Sequence, residues 1–341
     1  MAKDAIYDIQ KLSRTESASD EQIIRVQHRP TGACLELHPT VGALCTRWQV
    51  PTQQGLQDLL WFDPKYPKNV HPTKQGIPIL FPFPNRIAEG RFYWQRKQYQ
   101  LPCNDPSGCH AIHGFVADKK WELVDMKAND DQAVLKLSTV VDEAAAWPAQ
   151  ATLKTTFIWK LFSLTMLFEV QVDASKEFPF GLGVHPYWAW PADQVTLHLS
   201  DHSKIPEQWE LIDCIPTGKR LALNESVLAQ MQDGECTIGK EHWDHAFRCN
   251  HPSLDWGLSA PGYGVLCTHC SASFQDFVVF TPVHRQAICI EPYTCMTDAI
   301  NHLEQMDDTG WMVLAPGQTW RGKITWTWAA GHEDHLASSR V

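Results

Sequence analysis

The sequence predicts an all-β protein, a large antiparallel β-sandwich or barrel with few short helices. Short runs rich in β-branched and aromatic residues recur along the chain, and several alternate apolar and polar positions. No long stretch keeps helical periodicity, and 22 prolines and 19 glycines break the chain every dozen residues or so.

The elements follow in order. Residues 1–20 are polar and expected to form a flexible segment. ACLELH (33–38) reads as a strand, and an apolar strand in GIPILFPFPNRIAEGRFYW (76–94) ends at Pro-Phe-Pro. VLKLSTVV (134–141) is another strand, and TLKTTFIWKLF with SLTMLFEVQV (152–172) forms a pair whose alternating faces suggest a hairpin. LNESVLAQMQD (223–233) is one short helix with Asn224 as its N-cap. Near the end, QAICIEPYTCMTDAIN (286–301) carries a short apolar run, and KITWTWAA (323–330) alternates almost strictly. Residues 331–341 form a polar tail containing His332 and His335. With no fixed-period repeat and no low-complexity linker, residues 21–330 are expected to be a single domain.

Composition excludes several classes. The 341 residues are 44% hydrophobic, which fits a globular chain with a sizeable core. A net charge of −10 without a dense basic block argues against nucleic-acid binding. The N-terminal MAKDAIYDIQ lacks the apolar core of a signal peptide. The most apolar segment, FIWKLFSLTMLFEV (157–170), is too short to span a membrane and carries Lys160 and Glu169. Eleven scattered cysteines then indicate a cytoplasmic protein with reduced thiols. Cys267-Thr-His-Cys270 lacks a second cysteine pair, so no metal is expected there. Asn224-Glu-Ser226 matches the glycosylation pattern, which the inferred compartment makes idle. Fifteen tryptophans suit a filled core, and some could serve as flat platforms in a sugar cleft; composition does not separate the two.

Four stretches can carry chemistry. Asn85-Arg86 at a strand end offers several donors suited to a hydroxyl-rich ligand, although Arg86 could equally pair with a structural carboxylate. In HAIHGFVADKKWEL (110–123), two histidines are too few for a zinc site. His113 beside Gly114, which would let a ligand approach the backbone, fits a hydrogen-bonding role, while His110 reads as a loop residue. In FPFGLGVHPYWAW (178–190), His185 is walled by aromatics and is a candidate proton donor or acceptor, or a satisfied core histidine. Finally, Ala287-Ile288-Cys289-Ile290 delivers Glu291 onto a proline, with Asp298 and Asn301 following and Asp244 in WDHAF upstream. Burial raises a carboxylate pKa and would tune Glu291 towards a general base; an ion pair is the alternative.

Taken in order, Asn-Arg, His-Gly-Phe, His-Pro-Tyr, Asp in an aromatic run, and Glu-Pro-x-Thr with Asp-Ala-x-Asn resemble the aldose 1-epimerase (galactose mutarotase) family. The resemblance spans about residues 30–330 and is most specific at GIPILFPFPNRIAEGRF and EPYTCMTDAIN. It implies a large antiparallel β-sandwich with an open sugar cleft. It also implies cofactor-free interconversion of α and β anomers of an aldohexose through ring opening. Glu291 would be the base on the C1 hydroxyl and His185 the acid on the ring oxygen, with Asn85, Arg86, His113 and Asp244 as substrate-binding residues. The contracted His113-Gly114-Phe115 and the His-Pro-Tyr motif mark a divergent, bacterial-type branch.

Some relatives act on hexose 6-phosphates, so Arg86, Arg91, Arg96 and Lys97 are candidate phosphate ligands, although strand alternation would send them to different faces. The rival from another class is a catalytically inactive carbohydrate-binding protein on the same fold. The presence of both Glu291 and His185 favours an enzyme. Their reacting atoms are expected to flank a sugar-sized gap.

Overall fold

The alternating segment at 152–172 forms the hairpin the sequence predicts, with Ala151–Lys160 and Ser163–Val172 paired antiparallel from Ala151↔Val172 to Lys160↔Ser163. Its buried side chains obey the two-residue period: Leu153, Phe157 and Trp159 point inward from one strand, and Leu164, Met166, Phe168 and Val170 from the other. The structure is a computed structural model that describes residues 5–14, 21–63, 65–66, 71–142, 146–173, 175–199, 205–249 and 255–330.

This hairpin sits within a nine-stranded sheet. Glu122–Ala128 and Ala133–Val141 precede it in spatial order; Thr319–Ala329, Gly264–Cys270, Asp255–Ala260, Thr196–Leu199 and Glu235–Thr237 follow. An eight-stranded sheet runs from Ile215–Leu221 through Glu207–Ile212, Asp244–Arg248, Asp276–Phe280, Ile288–Tyr293 and Gly183–Val184 to Ile79–Leu80, and Tyr187–Trp188 also pairs with Ile288–Tyr293. Five further strands between Tyr7 and Asp58 make an N-terminal sheet in sequential order. Pairing within all three is antiparallel, as hairpin-connected short strands allow.

The sheets meet through aromatic contacts. Trp188 packs on Trp326 with ring centroids 5.6 Å apart, Trp48 on Trp188 at 6.4 Å, and Tyr7 on Trp159 at 5.3 Å. Eight of the fifteen tryptophans are fully buried: Trp48, Trp121, Trp147, Trp159, Trp188, Trp190, Trp209 and Trp326. The core reading of the tryptophans therefore holds for most of them. The expected helix is present as Glu225–Gln232, where the Asn224 side chain accepts from the Ser226 N–H at 2.9 Å.

One expectation needs correcting. Tyr7–Arg14 is a paired strand, not part of a flexible segment spanning residues 1–20. Tyr7 is buried and its hydroxyl accepts from the Leu161 N–H at 2.8 Å, and Ile9 packs against the core beside it, so two side chains anchor a strand whose other positions are mostly polar. The polar tail with His332 and His335 lies outside the described residues. Cys267 and Cys270 sit three apart on one strand and so face opposite sides of the sheet, which no shared metal could bridge. No described helix is long and apolar enough to cross a membrane.

Candidate active site

The site begins with the strand Ile288–Tyr293. Strand periodicity divides its side chains: Ile288 and Ile290 enter the main core, while Cys289, Glu291 and Tyr293 point to the opposite face. Glu291 thus reaches the floor of a cleft of about 380 Å³ on the outer side of the eight-stranded sheet. Asn85, Arg86, His113, His185 and Asp244 line the same cleft. The six residues to which the resemblance gives catalytic or binding roles share one cavity.

His185 arrives from the neighbouring element. Its N–H donates to the Pro78 carbonyl at 3.1 Å, and its ring stacks on Tyr187 with centroids 4.6 Å apart and planes 11° from parallel. His185 Nε2 lies 3.3 Å from Glu291 Oε1 and 3.4 Å from the Tyr187 hydroxyl. The expected sugar-sized gap between the reacting atoms is therefore absent. The carboxyl and imidazole stand side by side and present themselves to the cleft together.

Both groups are nearly inaccessible, with side-chain exposures of 7% for His185 and 3% for Glu291. Burial pushes the His185 pKa down to about 3. It pushes Glu291 well above the carboxylate range, and the Asp244 charge adds to this; a hydrogen bond from Tyr293 and the Arg86 charge work against it. Both shifts favour the neutral forms of the two groups.

Arg86 is fixed by two loops. Its Nε donates to Asp105 Oδ2 at 3.3 Å and its Nη1 to Asn85 Oδ1 at 3.2 Å. Asp105 is buried and also accepts from the backbone N–H groups of Cys109 and His110 and from the Ser107 hydroxyl. Burial alone would raise its pKa, but these bonds together hold it well below the usual carboxylate range. Arg86 is thus both a cleft residue and a structural ion-pair partner.

Asp298 and Asn301, which the sequence groups with Glu291, lie behind the cleft. Asp298 accepts from the Ala88 N–H at 3.0 Å and from Asn301 Nδ2 at 2.7 Å, and its own N–H donates to the Arg86 carbonyl at 2.9 Å. They brace the Arg86 strand. His110 is structural as well, accepting from the Glu89 N–H.

His113 lines the cleft with its ring 5.5 Å from His185, and burial first, then the His185 and Arg86 charges, lower its pKa well below that of a free histidine. Gly114 has a reason other than the expected approach of a ligand. It adopts φ +68°, and an added Cβ would come 2.2 Å from the Phe81 carbonyl oxygen, so the close neighbour is backbone. Asp244 stands exposed at the mouth.

Other lining residues escaped the sequence reading. Tyr187 and Phe280 wall the cleft, and His71 and Lys74 stand on its rim around the short turn Pro72–Lys74. No tryptophan lines it, so a tryptophan sugar platform is not what this cleft offers. Tyr293 could have been found, because residues two apart on a strand share a face. Lys74 and His71 carried no such signal, nor did Asp105 behind Arg86, since loop closure sets their positions. Of the basic candidates for a phosphate, only Arg86 lines the cleft; Arg91 pairs with Glu89 and Lys97 lies over the Tyr99 ring.

The fold is thus an antiparallel β-sandwich with an open cleft that holds a buried carboxyl–imidazole pair. The profile of the aldose 1-epimerase family matches residues 30–327, and the chain belongs to that family. The Escherichia coli protein YphB is 30% identical over 250 residues, covering 70% of this chain and 79% of its own. Escherichia coli YihR is 24% identical over 237 residues, covering 65% and 71%. Among solved structures, a galactose mutarotase-like protein from Clostridium acetobutylicum superposes with a TM-score of 0.78 at 20% identity, covering 94% of this chain and 98% of that one. Galactose 1-epimerase from Lactobacillus acidophilus gives 0.75 at 16% identity, covering 96% and 100%. These low identities fit a divergent branch.

Proposed function

We propose that the protein interconverts the α and β anomers of an aldohexose, with Glu291 and His185 as the acid–base pair. The observation that carries this reading is the 3.3 Å approach of His185 Nε2 to Glu291 Oε1 on the buried floor of the cleft. In a pyranose, the C1 hydroxyl oxygen and the ring oxygen are bonded to the same carbon. Anomerisation removes a proton from the first while adding one to the second, so the two protein groups must stand side by side.

One shared proton suffices for the cycle. The Glu291 carboxylate takes the C1 hydroxyl proton as His185 imidazolium protonates the ring oxygen, and the C1–O5 bond breaks. The pair then holds its proton on Glu291, the direction in which burial pushes both groups. Rotation about C1–C2 presents the other carbonyl face. Glu291 returns its proton to the carbonyl oxygen, His185 removes one from the C5 hydroxyl, and the ring recloses. Acid and base groups so placed contribute roughly 10²–10⁴-fold each. Arg86, Asn85, His113 and Asp244 hold sugar hydroxyls, with Tyr187 and Phe280 as apolar walls.

A hexose 6-phosphate is the second reading, favoured by Lys74. It lines the cleft and has no ion-pair partner among the described residues, whereas Arg86 is engaged by Asp105. A phosphate is best held by such a free cation. Polarimetry of fresh α-D-glucose, α-D-galactose and their 6-phosphates tests both readings. Acceleration of the free sugars supports the first, and preference for a 6-phosphate that Lys74→Ala abolishes supports the second. Acceleration of none contradicts the proposal.

A further inference from the structure

We infer that Tyr293 is a positioning residue for Glu291: its buried hydroxyl holds one carboxyl oxygen so that the other faces His185 and the cleft. The two oxygens of Glu291 have separate partners. Oε2 accepts a hydrogen bond from the Tyr293 hydroxyl, while Oε1 is the atom near His185 Nε2. Tyr293 does not line the cleft and is 1% exposed as a residue, so it acts through Glu291.

The seat for that ring is built by a glycine. Gly183 lies opposite Tyr293 across the sheet, and a Cβ there would fall 2.3 Å from Tyr293 Cδ1 and 2.8 Å from Cε1. Any side chain at position 183 would displace the ring and carry the hydroxyl off the carboxyl. The Gly-Leu-Gly stretch before His185 therefore serves Glu291 as well.

Several groups face Glu291. His185 and Tyr187 approach from the adjoining segment, Asp244 from the strand Asp244–Arg248, Arg86 from across the cleft, and Cys289 and Tyr293 from its own strand. Among the described residues Tyr293 is the hydroxyl that donates to the carboxyl, and a donor stabilises carboxylate over carboxylic acid. Burial raises the Tyr293 pKa well above the ordinary phenol value, so the donor keeps its proton. Without this bond the carboxylate–imidazolium form that begins ring opening becomes rarer.

The inference rests on the proposed anomerase reading. In that reading the alkaline limb of kcat/KM reports loss of the shared proton from Glu291. A hydrogen bond to a charged group is strong enough that Tyr293→Phe should move this limb up by about one to two pH units and lower the plateau about 10–100-fold. KM should stay unchanged. Uniform 3-fluorotyrosine labelling supplies a more acidic donor and should move the limb down, with no movement when the Tyr293→Phe protein is labelled. Site-specific 3-fluorotyrosine at position 293, which leaves Tyr187 beside His185 unlabelled, carries the test by itself if Tyr293→Phe does not fold. A lowered plateau with an unmoved limb, or a limb insensitive to fluorination, overturns the inference. Glu291→Gln separates the two layers: if inactive while the Tyr293 readouts stay flat, only the positioning role fails; if fully active, the reading beneath it fails too.

Discussion

Asp105→Ala tests how the cleft keeps Arg86 in place. The Asp105 carboxylate is 2% exposed and accepts from Arg86 Nε at 3.3 Å, from the Cys109 and His110 N–H groups at 3.0 Å each, and from Ser107 Oγ at 2.7 Å. Breaking a buried ion pair from one side costs about 3–5 kcal/mol. Arg86 has a side-chain exposure of 15% and keeps its bond to Asn85, so water and that amide recover part of the loss. The expected destabilisation is about 2–4 kcal/mol, seen as a lower urea midpoint with an unchanged m-value. The sign of the pH dependence follows from the depressed pKa. The stabilisation is present above the usual carboxylate value of 3.8 and fades as pH falls through the lower folded value. The deficit of the variant should therefore be full at neutral pH and shrink in acid. A loss under about 1 kcal/mol, the level of a surface pair, or a deficit that persists in acid, would refute the reasoning.

Two further substitutions test neighbouring parts of the same frame. Gly114→Ala places a Cβ against the Phe81 carbonyl at a positive φ, and the combined strain and overlap should cost about 2–5 kcal/mol in denaturant unfolding. Asp298→Asn keeps an acceptor for the Ala88 N–H and removes a carboxyl that burial pushes up to about 6, so its stability should stay within about 1 kcal/mol of wild type. Asp298→Ala leaves that N–H unsatisfied and should cost about 1–3 kcal/mol in the same assay.

Period-two alternation made the fold legible at the 152–172 hairpin, and the apolar run before Glu291 marked a central strand. The same alternation carried the information for Tyr293, two residues from Glu291. It failed at Tyr7–Arg14, where an edge strand exposes so many polar groups that local sequence resembles a loop. The meeting of His185 with Glu291 depends on register across the sheet, with Gly183 opposite Tyr293, and no local pattern states a register between strands a hundred residues apart. Asp105 sits in a stretch, CNDPSGC, whose turn residues suggest solvent; only the folded loop reveals a carboxylate wrapped in donors. Asp298 and Asn301 were noticed for their chemistry and turned out to brace the backbone. Polar side chains at strand ends serve both purposes with the same atoms.

The central claim is that Glu291 and His185 move a proton pair at the anomeric centre, and polarimetry of the Glu291→Gln protein tests it most directly. The substituted amide preserves size and can still accept from Tyr293, but it cannot take the C1 hydroxyl proton. With the sugar that wild type equilibrates fastest, the account predicts that this folded variant loses at least about 100-fold of the acceleration. A variant that equilibrates the fresh α anomer as fast as wild type would contradict it.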